Sequence, residues 1–136
     1  EYYESALQYI LQQNKNMSTL MYFCEDEDLS DVNEIINKLQ TKFPVLLFTR
    51  CYNMLADWEQ MLVMSLCSHN IIANSSFSWW GAYLNENANK IVCYPSIWFG
   101  PSAKHDTKDL FPNNWIEIKC KLNTDTNTNT NTNTTD

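Results

Sequence analysis

Residues 57–84, DWEQMLVMSLCSHNIIANSSFSWWGAYL, read as a helix, a short buried strand, a tight polar turn and a second helix. After Asp57 the apolar side chains of Trp58, Met61, Leu62 and Leu66, with the small Ser65, share one face of a 3.6-residue period. Asp57 and Gln60 have the spacing of an N-cap and its capping-box partner, so the helix is expected to start at Asp57. Asn70-Ile71-Ile72-Ala73 is a short apolar run with β-branched residues, the pattern of a strand covered on both faces. Asn74-Ser75-Ser76 follows at its carboxyl end, and Phe77, Trp80, Gly81 and Leu84 then recur at helical spacing.

That junction carries the chemistry. Ligands of open parallel α/β sheets lie outside the carboxyl ends of the strands. A helix N-terminus offers unpaired N–H groups and the positive end of its dipole, which suits phosphate. Asn74, Ser75, Ser76 and Ser78 add amide and hydroxyl groups that can bond phosphate or sugar oxygens. A simpler role is open for the same residues, with Ser75 or Ser76 capping the helix and the tryptophans filling a core.

The flanking segments extend the alternation. Tyr3, Ala6, Leu7, Ile10 and Leu11 share one helical face, and 19–23 is a strand candidate. Glu25-Asp26-Glu27-Asp28 is an acidic turn that could position a ligand hydroxyl, or could simply precede the next helix as a solvated loop. Ser30 is expected to cap a helix with Val32, Ile35, Ile36 and Leu39 inward. Residues 44–49 are continuously apolar and read as a central strand. Residues 90–94 form another strand that Pro95 stops, 98–108 a loop, and 115–119 a last short strand or a surface extension. Helix and strand in strict alternation predict a Rossmann-like parallel sheet with helices on both faces, an α/β fold.

Composition narrows the function. The chain has 136 residues and is 44% hydrophobic, enough for one small domain with a real core. Residues 1–121 are expected to form it. Residues 122–136 are expected to be a disordered tail, because from Asn123 on the chain repeats Asn, Thr and Asp without an apolar side chain. A net charge of −7 argues against a nucleic-acid partner. The five cysteines show no C-x-x-C pair and no metal-ligand spacing, so reduced thiols are expected. No stretch approaches the length of a membrane span, and no signal peptide is visible. Of three glycosylation sequons, the one at Asn74 would block the proposed site.

The run His69-Asn70-Ile71-Ile72-Ala73-Asn74-Ser75-Ser76-Phe77-Ser78-Trp79-Trp80-Gly81-Ala82-Tyr83-Leu84 resembles the signature of the α-1,2-fucosyltransferase family, glycosyltransferase family 11. The likeness covers roughly residues 1 to 118, with Tyr2-Tyr3 upstream and Asp109-Leu110-Phe111-Pro112 leading to Trp115 downstream. It implies a two-lobed, GT-B-like glycosyltransferase of which this chain is the C-terminal lobe. It further implies GDP-fucose as donor, a galactose-terminated glycan as acceptor, inversion at the fucose anomeric carbon, and no metal or other cofactor. Asn74, Ser75, Ser76, Phe77, Ser78 and His69 are then the expected donor-binding residues, with no catalytic base assigned. Family members are Golgi-membrane or cytoplasmic, membrane-associated enzymes.

The family's basic His-x-Arg-Arg motif, which meets the nucleotide phosphates, normally lies upstream of the Tyr-Tyr helix, and this chain does not contain it. The chain is therefore expected to be the carboxyl part of a longer enzyme, with the arginine-bearing lobe supplied elsewhere, or a non-catalytic carbohydrate- or nucleotide-binding remnant. Its only arginine, Arg50, falls at a strand end, where a structural or surface role is expected. His69 could stabilise phosphate charge or bond backbone at the start of its strand. His105, in a polar loop, is expected at the surface.

Overall fold

The computed structural model describes residues 1–100, 102–103 and 105–120. The tail expected over residues 122–136, and the end of the predicted domain at 121, lie outside the described residues. Helices and strands alternate as the sequence predicts: α1 (Tyr2–Gln13), β1 (Thr19–Tyr22), α2 (Leu29–Lys42), β2 (Leu47–Arg50), α3 (Asp57–Ser65), β3 (Asn70–Ile71), α4 (Ser76–Tyr83), β4 (Val92–Pro95) and β5 (Ile116–Ile118). Every strand pair is parallel. The last segment is a strand, with Cys93 opposite Ile116 and Pro95 opposite Ile118.

The expected single sheet is divided. β1 pairs with β2 in one small sheet, and β3, β4 and β5 form the other in that order. The open edges of β1 and β3 flank a groove instead of bonding to each other. The segment at 44–49 is correspondingly not a central strand. β2 begins only at Leu47 and pairs with β1 alone, leaving Val45 75% and Leu47 64% exposed. A run of apolar residues reports the wish for burial, but not whether a partner strand reaches it.

One helix binds the two sheets together. α1 turns Ala6 and Ile10 toward Cys93 and Ile118, and Leu7 toward Leu39, Phe43 and Leu46. Ile71 and Met17 touch both groups. Tyr2 and Tyr9 of α1 pack, partly buried, against the first of these groups, whereas Tyr3, placed inward by the sequence pattern, is exposed. The Tyr2 hydroxyl lies 2.6 Å from the Ile72 carbonyl and 3.0 Å from the Cys93 carbonyl, sharing its proton between them. Burial raises its pKa far above the ordinary tyrosine value, so it remains a donor.

Three expected helix details change. α3 starts at Asp57 as expected, but its cap is Ala56 and not Asp57: the Ala56 N–H donates to the Glu59 carboxylate at 2.8 Å while the Gln60 amide donates to the Leu55 carbonyl. α2 begins after Asp28 rather than Ser30. The predicted inward residues Val32, Ile35, Ile36 and Leu39 all line the groove, and of them only Leu39 is buried.

α4 also rotates relative to its sequence pattern. Its buried positions are Ser78, Gly81 and Ala82, while Trp80 is 49% exposed and Leu84 is exposed too. Small residues face α3 because the helices approach closely. A Cβ on Gly81 would stand 2.4 Å from Met64 Sδ. Trp79 fills the other side of the sheet core, stacked on Tyr83 at 4.8 Å and donating its indole N–H to the Leu110 carbonyl at 3.0 Å.

Candidate functional site

The groove between the sheets is a cavity of about 830 Å³, the size class of a small-molecule site. Its walls come from α1, α2 and β1, from Asp57, Gln60 and Met64 of α3, and from Cys67, Ser68, His69 and Ile71. At one end stand the carboxyl-end residues of two strands: Phe23, Cys24, Glu25 and Asp28 after β1, and Ala73, Ser75, Phe77 and Ser78 after β3. Were the open edges to meet, the strand order would read 2-1-3-4-5, and the groove lies where that order reverses. Such switch points hold the ligands of doubly wound sheets.

The turn after β3 is built from its own backbone and one serine. The Ser75 N–H donates to the Ala73 carbonyl at 2.8 Å, which bends the chain sharply at Asn74. Ser78 Oγ, from the first turn of α4, lies 3.1 Å from the Ala73 carbonyl and 3.1 Å from the Ser75 carbonyl. Its proton is engaged inside the turn, so Ser78 shapes the site. Ser75 occupies the N-cap position, but its side chain makes no bond to the helix. The first N–H groups of a helix have no partner within it. Here the serine that would ordinarily satisfy one of them does not bond it, and Ser75 itself lines the groove.

The other predicted site residues divide. Phe77 lines the groove beside Ser75. Asn74 and Ser76 are exposed at the turn, and Asn74 Nδ2 donates to the Trp98 carbonyl at 3.3 Å. His69 lines the same groove, away from the turn. It precedes β3, at the opposite end of the strand, where its Nδ1 accepts the Ile91 N–H at 3.0 Å and its Nε2 lies 3.1 Å from the Asn14 side-chain amide. A ring that accepts through Nδ1 is neutral, and burial lowers its pKa further. His105 is exposed against Phe99.

The acidic turn is held by the residue the sequence left isolated. Arg50 donates to Asp26 Oδ1 at 2.6 Å and to the Cys24 carbonyl at 3.0 Å, and Asn53 adds a bond to Asp26. The Arg50 bond holds the Asp26 carboxyl below its usual range. The chain's one guanidinium is thus used to fix the loop after β1.

Sequence reasoning missed the polar core behind the site. Asn85 Nδ2 donates to Asn70 Oδ1 at 2.8 Å and to the Cys67 carbonyl at 2.7 Å, while Asn70 Nδ2 donates to the Met64 carbonyl at 2.9 Å. Lys90 bonds the Ala82 and Asn85 carbonyls at the end of α4. No buried side-chain nitrogen or oxygen among the described residues lacks a partner. The signal was the asparagine pair bracketing the predicted strand and helix, which composition alone reads as loop.

All five cysteines are free thiols, with Cys93 fully buried and its pKa pushed up to about 12 by desolvation. Cys67 is half-buried. Among the described residues no group of His, Cys, Asp or Glu is arranged to hold a metal ion, and no helix is long and apolar enough to cross a membrane.

Residues 1–119 match the sequence profile of Glycosyl transferase family 11. The chain belongs to that family. It is 35% identical over 118 residues to the O-antigen biosynthesis glycosyltransferase WbnK of Escherichia coli, covering 87% of this chain and 36% of the relative. It is 29% identical over 118 residues to an alpha-1,2-colitosyltransferase of Escherichia coli, covering 87% of this chain and 38% of that protein. The family 11 chain therefore spans little more than a third of the length of these relatives. No solved structure matches it.

Proposed function

We propose that this chain is the donor-binding carboxyl part of a galactoside α-1,2-fucosyltransferase, acting on GDP-fucose and a galactose-terminated glycan. The observation that carries the reading is the free N-cap. Ser75 opens α4 at the carboxyl end of β3, on the groove, without spending its hydroxyl on the helix. Family membership and the relatives' names support glycosyl transfer in general.

In the proposed reaction a base removes the proton of the acceptor hydroxyl, whose oxygen attacks the fucose anomeric carbon from the face opposite the nucleotide. The bond to the GDP oxygen breaks as the new glycosidic bond forms, so configuration inverts and GDP leaves with the electron pair. Transfer of this kind rests on stabilising the departing diphosphate charge. The opening N–H groups of α4, the dipole behind them and the hydroxyls of Ser75 and Ser76 are the donors here. The second, arginine-bearing lobe of a GT-B-like enzyme would add the balancing positive charge, since Arg50 is already engaged with Asp26.

Calorimetric titration of GDP and GDP-fucose into the chain tests this. Saturable binding is expected, weakened at least about tenfold by the Ser75→Ala, Ser76→Ala double variant, because two hydroxyl bonds to a charged group are lost. Undiminished binding in the variant, or no binding by the folded wild type, overturns the assignment of the turn. A second reading, a binding module without transferase activity, is favoured by the net charge of −7 and the engaged Arg50. Donor binding without fucosyl transfer to lactose, under conditions where a full-length family member turns over, would select it.

A further inference from the structure

The body of the groove between β1 and β3 is apolar. Leu7 and Ile10 of α1, Ile36 and Leu39 of α2, Leu20 of β1 and Ile71 of β3 line it, whereas Ser75, Ser78, Glu25 and Asp28 stand at one end. We infer that this body seats one further β-strand, apolar and parallel to its neighbours, that continues into the N-terminal end of α1. The seat is separate from the donor site proposed at the serine turn and does not depend on it.

The two facing edges are set to bond such a strand. The Leu47 N–H donates to the carbonyl of Ser18, just ahead of β1, and the Cys51 N–H to that of Tyr22. Along β1 the even-numbered residues therefore point their backbone groups at β2. The Asn70 and Ile72 N–H groups donate to the Ile91 and Cys93 carbonyls, so on β3 the even-numbered residues point at β4. Alternation along an extended chain then directs the N–H and C=O groups of Thr19, Met21 and Ile71 into the groove, where neither edge has a partner strand. Backbone groups beside an apolar cavity need partners. One strand between the edges supplies both rows.

α1 gives the direction and the connection. α2 links the parallel strands β1 and β2, and α4 links β3 and β4. α1 leads into β1 as those helices lead into β2 and β4, and it runs antiparallel to β3. Tyr2, at its start, bonds the Ile72 carbonyl past the end of β3, and Asn14, at its far end, bonds His69 ahead of that strand. Its packing spans the gap, with Ile10 against Cys93 and Leu7 against Leu39. A strand running through the groove parallel to β1 ends where α1 begins, which completes the strand–helix–strand unit of parallel sheets. The sheet then reads β2, β1, the added strand, β3, β4, β5. Lying among the helices, that strand must be apolar on both faces. Chain to supply it exists in the relatives, of which the match covers only 36% and 38%.

The test is amide hydrogen exchange of the full chain by NMR, alone and with the peptide acetyl-Lys-Val-Ile-Val-Val-Thr-Lys-amide. In the chain alone the Met21 and Ile71 amides are expected to exchange fast while Leu20 and Ile72 are protected. The peptide should slow Met21 and Ile71 together and saturably. A counterpart that alternates Val with Ser has one polar face and should bind at least about tenfold more weakly. Met21→Pro removes one N–H on the groove side and leaves the bonds to β2 in place. Peptide affinity should fall about fivefold in that variant, with Leu20 and Tyr22 still protected. Protection of Met21 and Ile71 without peptide would mean that β1 and β3 close on each other, and would overturn the inference. So would a peptide that adds no protection, protection on one edge alone, or unchanged affinity in Met21→Pro. Failure of GDP to bind at the serine turn would leave all these readouts as they are, so the two assignments fall separately.

Discussion

His69 shows how one backbone bond can decide the state of a side chain. Its Nδ1 accepts the Ile91 N–H, so protonation at that atom would abolish the bond. The folded pKa is lowered by burial from the ordinary value of 6.5. At neutral and higher pH both folded and unfolded chains carry neutral imidazole, and the group adds no pH dependence. As pH falls through about 6.5 the unfolded chain takes up the proton first, so stability declines from there down to the lower folded pKa. Urea unfolding midpoints should fall between pH 7.5 and 5.5 in the wild type and fall less in His69→Gln. Equal declines would show that His69 is not the group responsible. Asp26 acts with the opposite chemistry but the same sense. Its depressed pKa contributes stability above the ordinary carboxylate range, and that contribution is lost as pH drops through the folded value.

At the scale of elements, the junction of α3 with α4 depends on the absence of a side chain. Gly81 lets Met64 lie where a Cβ would stand 2.4 Å from its sulfur and 2.9 Å from its Cγ. Gly81→Ala should therefore destabilise by roughly 1–3 kcal/mol despite the better helix propensity of alanine, because the close-packed side chain must move. A thermal melt reads this directly, and a stabilised variant would refute the packing argument. The asparagine network beside it works by satisfaction. Asn85→Leu removes the donor to Asn70 and to the Cys67 carbonyl in the interior, and should cost about 2–4 kcal/mol, more than the ordinary worth of a hydrogen bond. Chemical denaturation with unchanged m-value is the check.

For the molecule as a whole, α1 is the element on which both sheets depend. Leu7 packs against Leu39, Phe43 and Leu46, while Ala6 and Ile10, on an adjoining face of the helix, pack against Cys93 and Ile118. Leu7→Ala should cost about 2–5 kcal/mol, the range for a buried leucine. Because α1 touches both sheets, amide protection in β2 and in β4 should fall together under native-state hydrogen exchange. Loss confined to β2 would mean that the sheets are stabilised separately. The divided sheet also accounts for the groove. Where β1 and β3 do not pair, the apolar faces of α1 and α2 meet a cavity in place of a strand.

What the sequence determined was local. The alternation of helix and strand, the polar turn after a buried strand, and the helix that the serines open are all set by residues within a few positions of one another, through periodicity and turn chemistry. The family signature lies within the same stretch. What the tertiary structure decided involves partners tens of residues apart. Whether β1 bonds β3, which side of α4 meets α3, and whether Arg50 is free or tied to Asp26 depend on distances across the fold. The same holds for His69, which reads as a neighbour of the serine turn in the chain but stands at the far end of β3, bound to Ile91 and Asn14. A strand rises by about 3.3 Å per residue, so even a short one separates the chemistry at its two ends.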